Sequence, residues 1–275
     1  MGSSPDLTAH RWKQTVELRE TTRKLIAEVE QISGFPVVVT QDASLSNIST
    51  VSMANQDRLG HLILLNPKAP AGVDYYVTYY CHMIQRFYEN SPEERFIFTV
   101  GEKGRYQVRK LLDRMPIAKM MPANHQSVMC EQLLQGLMTH LRSIPIGLRV
   151  DNWIFTEHPN LSEMQKNAIQ PQLQDNTRAS SEQFRKMFPP PIYDATMAIN
   201  AAFAQFWAEK WNQPELSLPY KSSGYMATGE QLLKIWNDTP DSGTTDQALI
   251  DAWGATLNVT GWYDWMPYKT PQRIS

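Results

Sequence analysis

The chain is 275 residues long, with 42% hydrophobic and 20% charged side chains, and its 26 basic and 28 acidic residues leave a formal charge of −2. A chain of that length buries a stable core without disulfide or metal staples. Its charge lacks the basic excess of a phosphate-binding protein, so no nucleic-acid partner and no membrane are expected.

The two cysteines, Cys81 and Cys130, make no disulfide framework, which fits a reducing compartment. No stretch reaches the roughly 18 apolar residues of a membrane helix, and Met1 to Trp12 holds no signal-peptide core. A cytoplasmic globular protein is expected.

In chain order, apolar residues at helical spacing run from Trp12 through Val16, Leu18, Leu25, Ile26 and Val29 to Ile32, and Gly34 ends the pattern. Val37-Val38-Val39-Thr40 is β-branched and predicts a strand. Thr50 to Ala54 and His61 to Leu65 predict two more, the last closed by Asn66-Pro67. Short polar links between them imply a small antiparallel or mixed sheet. Val73 to Tyr88 predicts a helix buried on most sides, with Tyr76, Tyr80, Met83, Ile84 and Phe87 as its stripe.

Arg95 to Arg114 is ambiguous: Phe96-Ile97-Phe98-Thr99-Val100 favours strand, whereas Tyr106, Val108, Leu111 and Leu112 favour helix. Asn124 to Arg142 predicts a helix whose apolar face is Val128, Leu133, Leu134, Leu137, Met138 and Leu141. Pro145 predicts a kink before the helix restarts at Leu148. A polar helix from Leu161 towards Asp175 is expected to be largely exposed. Pro189-Pro190-Pro191 is expected to be an extended spacer before a helix from Tyr193 to Trp211. Helices Gly229 to Trp236 and Thr245 to Leu257 and an aromatic tail, Asn258 to Tyr268, complete the chain. The fold class expected is α+β and mostly helical, with a three-stranded sheet near the amino terminus and a helical carboxy-terminal half. The expected division is a domain over 10–158 and a helical subdomain over 159–275 packed on it.

Chemistry is tested by counting. No two of the six histidines lie closer than fifteen positions, so no HExxH zinc pair exists. Cys81 and His82 point about 100° apart on a helix and do not easily share an ion. A mixed site joining either of them to Cys130, Glu131, Glu93 or Glu94 would have to be assembled by folding. Gly101-Glu102-Lys103-Gly104 misses the phosphate-loop pattern, and neither G-x-S-x-G nor G-x-G-x-x-G occurs. Cys81 or Cys130 would act as a nucleophile only beside an oriented base. No catalytic residue is assigned; His82, Cys130 and Glu131 are the candidates, and no metal or cofactor is expected.

The order of elements carries a resemblance. A long helix leads to Ser33-Gly34-Phe35-Pro36-Val37-Val38-Val39, a small sheet ends in His61-Leu62-Ile63-Leu64-Leu65-Asn66-Pro67, and an apolar helix follows with Tyr79-Tyr80-Cys81-His82-Met83-Ile84-Gln85-Arg86. This resembles the ImmA/IrrE-like zinc metallopeptidases, in which a v-N-P strand precedes a helix bearing H-E-x-x-H-i-x-R. Aligned on Ile84-Gln85-Arg86, Tyr79 takes the place of the first histidine, Tyr80 that of the general-base glutamate and Met83 that of the second histidine. A phenol with a pKa near 10 and a thioether are poor zinc ligands, and neither takes a proton from metal-bound water. The resemblance covers about residues 22–88, and more loosely the helices to Arg149. It implies a zincin-like core that has lost its site. The expected function is a catalytically inactive metallopeptidase-like protein that binds a protein partner or regulates. The alternatives are a hydrolase rebuilt around Cys81/His82 and Cys130/Glu131, and a purely structural subunit of a larger assembly.

Overall fold

The computed structural model describes residues 16–69 and 72–271. In chain order its main elements are α1 (Glu20–Ser33), β1 (Val37–Gln41), β2 (Ser49–Ser52), β3 (His61–Leu65), α2 (Val73–Tyr88), β4 (Phe96–Val100), α3 (Glu102–Leu112), α4 (Pro116–Lys119) and α5 (Ala123–Glu157). There follow α6 (Ser162–Ala179), α7 (Glu182–Met187), α8 (Pro190–Trp211), α9 (Leu218–Ser222), α10 (Met226–Asp238), α11 (Asp246–Thr256) and β5 (Tyr263–Pro267). The fold is α+β and mostly helical, with a small mixed sheet near the amino terminus. Packing groups the chain into two compact units. Of the described residues, the first comprises those up to Arg95, Val150–Ala168 and those from Pro267; the second comprises Phe96–Arg149 and Ile169–Met266. The chain thus changes unit several times.

In the first unit the strand order is β1-β3-β2, with β1 parallel to β3 and β2 antiparallel to it. Val39 lies beside Ile63, and Val51 faces Ile63 from the other side. Central β3 is buried at four of its five positions, as a strand paired on both edges and covered by helices requires. The core joins Val29 of α1, Val39, Ile63, and Val77, Cys81 and Ile84 of α2 to Val150 and Ile154.

α1 starts at Glu20, later than its apolar spacing suggests. Leu18 is buried without being helical, and Trp12 lies outside the described residues. The start is set from afar. Asp74 of α2 accepts hydrogen bonds from the Arg19 backbone N–H (2.9 Å) and from Thr22 Oγ1 (2.6 Å), placing a carboxylate at the positive end of α1. At the other end Gly34 adopts φ 76°, and its N–H closes the last turn on the Glu30 carbonyl.

In the second unit α8 is apolar all round and central: Met197, Ile199, Ala201, Ala202 and Trp207 are almost fully buried. Only Pro189 is extended; Pro190 and Pro191 begin the helix, where their missing N–H groups would have had no partner anyway. The three prolines therefore cap a helix instead of spacing two. Gly229 of α10 lies so close to α8 that a Cβ there would sit 2.8 Å from Ala201 Cβ.

The helix runs through Pro145 as one element, α5, where the sequence reading has a kink and a restart at Leu148. The Pro145 carbonyl accepts a hydrogen bond from Trp236 Nε1 (3.0 Å). Val128, expected on the buried face of α5, is exposed. α6 is not largely exposed: Gln165, Ala168, Ile169 and Leu173 are buried along it. The ambiguous stretch after Arg95 divides into β4 and α3, and the aromatic tail contributes β5, which pairs with β4 in a second sheet.

Candidate functional site

The residues that carry the resemblance sit on α2. Tyr79, Tyr80 and Met83 are half-buried and pack against the core of the first unit. The Tyr79 ring contacts both the Tyr75 ring, one turn earlier, and that of Tyr80, at centroid separations of 6.1 and 5.4 Å. The Tyr80 hydroxyl is 2.9 Å from Ser49 Oγ at the start of edge strand β2. These three positions hold two phenol rings and a thioether engaged in packing. This donor set does not fit zinc. Among the described residues no three His, Cys, Asp or Glu side chains form a group able to hold a metal ion. Arg86, one turn on, is buried.

The remaining candidates fall in two units. In the first, Cys81 is fully buried, and burial pushes its thiol far above the ordinary range. His82 stacks on Trp153 with centroids 3.9 Å apart, and its Nδ1 lies 3.2 Å from Gln85 Oε1. That pairing suits a packing ring. In the second unit, Cys130 is also raised by burial, and its Sγ lies 3.7 Å from the Arg105 carbonyl. Neighbouring Glu131 accepts from Gln135 Nε2 at 2.8 Å and pairs with Arg105 Nε at 3.2 Å. Those bonds, Gln135 foremost, hold its carboxyl below its ordinary value, the opposite of what a general acid needs. Both cysteines are free thiols.

Two buried polar groups of the first unit escaped the sequence reading. Asp151 is 4% exposed and accepts from the Tyr75 hydroxyl (2.8 Å) and from Gln165 Nε2 (2.9 Å). Burial raises its pKa to about 6, against the lowering effect of both bonds. His61, the first residue of β3, is fully buried between the Phe35 and Tyr88 rings, each edge-on to it. Its Nδ1 accepts from the Ala54 N–H (3.2 Å), and burial, with Arg58 nearby, lowers its pKa to about 4. Sequence spacing carried no signal for either, because the partners come from other elements.

No protein-family model, curated protein or solved structure matches the chain. No helix among the described residues is long and apolar enough to cross a membrane.

Proposed function

We propose that the first unit is a metallopeptidase-like scaffold without a hydrolytic centre, and that the protein works by binding a protein partner. The observation that supports this most is the packing of Tyr79, Tyr80 and Met83 where the resemblance asks for two imidazoles and a carboxylate. The succession α1, three strands and α2, with both helices against the sheet, supplies the frame in which that replacement has meaning. A scaffold that keeps the frame and fills the site retains a surface, so recognition is the function left to it.

Metal analysis of protein purified without chelators tests the reading. Zinc well below one ion per chain is expected, and a full equivalent retained through gel filtration overturns it. A triple variant, Tyr79→His, Tyr80→Glu and Met83→His, restores the ligand pattern on one helix face. It is expected to take up zinc that the parent does not, while a folded triple variant blind to zinc argues against the frame. Quantitative affinity purification tests the partner: a protein recovered at one-to-one stoichiometry and left uncleaved is expected, and cleavage of it refutes the inactive assignment.

A further inference from the structure

The second unit contains a cavity of about 450 Å³ walled by α5, the end of α6, α7 and α8. That volume lies within the range of small-molecule sites. The wall holds no Asp, Glu, Lys or Arg; its body is hydrocarbon, aromatic ring and thioether, with Met129, Met187 and Phe188 among the lining side chains. Methionine adapts its shape to what it packs against, which suits a binding wall.

Two features argue that the space is built for an occupant. Gly136 stands in the interior of α5, where glycine weakens a helix relative to alanine. Nothing requires it for packing, because a Cβ added there would meet no atom within 4 Å. It leaves the wall open. One turn further on, His140 presents a buried Nδ1 with no hydrogen-bond partner among the described residues, and such an atom is costly unless something completes it. Two other polar lining atoms are already engaged, the Tyr193 hydroxyl donating to the Ala179 carbonyl and Thr196 Oγ1 to that of Ile192, while the Gln132 amide lies on the exposed side of α5.

We propose that this cavity binds an uncharged, lipophilic small molecule bearing one hydroxyl, which pairs with His140 Nδ1 while the hydrocarbon body fills the space opened by Gly136. A hydroxyl both donates and accepts, so it satisfies either tautomer of a neutral ring. Burial lowers the basicity of His140, which favours the neutral ring. A charged head group would be stripped of water with no counter-charge in the wall.

The site lies in the second unit and does not depend on the metallopeptidase-like reading. Fluorescence titration of the full chain with 2-naphthol, naphthalene and 2-naphthoate tests it. 2-Naphthol is expected to bind at least tenfold more tightly than naphthalene, with 2-naphthoate weakest. Gly136→Leu is expected to weaken 2-naphthol at least tenfold without lowering the melting temperature. His140→Phe is expected to bring 2-naphthol down to the level of naphthalene, which keeps the test decisive if the leucine variant fails to fold. Absence of binding by all three probes overturns the proposal, as does unchanged 2-naphthol affinity in folded Gly136→Leu. So does a dimer that Phe184→Glu dissolves, since the cavity wall would then be a protein interface.

Discussion

Replacing Asp151 by asparagine removes one charge from the interior of the first unit and leaves an oxygen to accept from Tyr75 and Gln165. The folded carboxyl titrates at about 6 against 3.8 for an ordinary Asp, so between those values the folded state binds a proton that the unfolded state does not. Stability from this group therefore falls as pH rises through the window, and it is greater at pH 5 than at pH 7.5 by about 1.4 kcal/mol. His61 acts in the opposite sense. Its folded value of about 4 lies below 6.5, so the unfolded state gains a proton first on acidification, and stability falls by about 2 kcal/mol over the same interval. The two groups nearly cancel in the parent, and Asp151→Asn unmasks the acid sensitivity of His61. Urea unfolding followed by circular dichroism at pH 7.5, 6.5, 5.5 and 5.0 reads this directly. The stability of the variant relative to the parent should drop by about 1.4 kcal/mol from pH 7.5 to 5. Taking that difference removes the other histidines from the comparison. A difference that stays constant with pH would refute the assignment of the proton to Asp151.

Three further perturbations probe the frame around the sites. Gly229→Ala drives a methyl to 2.8 Å from Ala201 Cβ between α8 and α10; overpacking of about 1–3 kcal/mol, eased by about 1 kcal/mol of helix propensity, should give a net loss in thermal unfolding, and a variant as stable as the parent would mean the helices separate freely. Arg149 is 1% exposed and pairs with Asp246 at 2.8 Å, while also donating to the Thr239 carbonyl. Arg149→Ala removes the buried partner of that half-buried carboxylate and of the Thr239 carbonyl and should cost about 3 kcal/mol in urea titrations; a loss below 1 kcal/mol would show that the cluster adds little. Both thiols are buried and held protonated, so the native protein at pH 8 should leave Ellman's reagent unreacted for minutes and yield two equivalents only on denaturation. Rapid labelling of native protein at Cys130 would reopen it as a nucleophile.

What the chain discloses locally and what it conceals follow from where each contact is made. β3 and α2 begin and end where expected because their signals are adjacent in sequence: a β-branched and leucine run, Asn66-Pro67, then a stripe at helical spacing. The start of α1 is hidden from local spacing because its acidic cap is Asp74, which lies 55 residues from Arg19. β5 looks like a tail in the sequence because Tyr263–Pro267 becomes a strand only against β4, from which it is separated by more than 160 residues. The same division runs through the sites. Tyr79, Tyr80 and Met83 can be placed by counting along one helix, whereas Asp151, Tyr75 and Gln165 meet only after three helices have packed. Glycine is the instructive intermediate. A glycine inside an apolar helix pattern already asks for a reason, since alanine would serve the helix better. Sequence cannot distinguish the two answers this fold gives: at Gly229 the backbone of a neighbour presses too close for a methyl, and at Gly136 the space beside the helix is left vacant. The first answer makes the residue a packing requirement and the second makes it part of a wall, so the same residue type predicts opposite responses to enlargement, destabilisation at 229 and lost binding with an intact fold at 136.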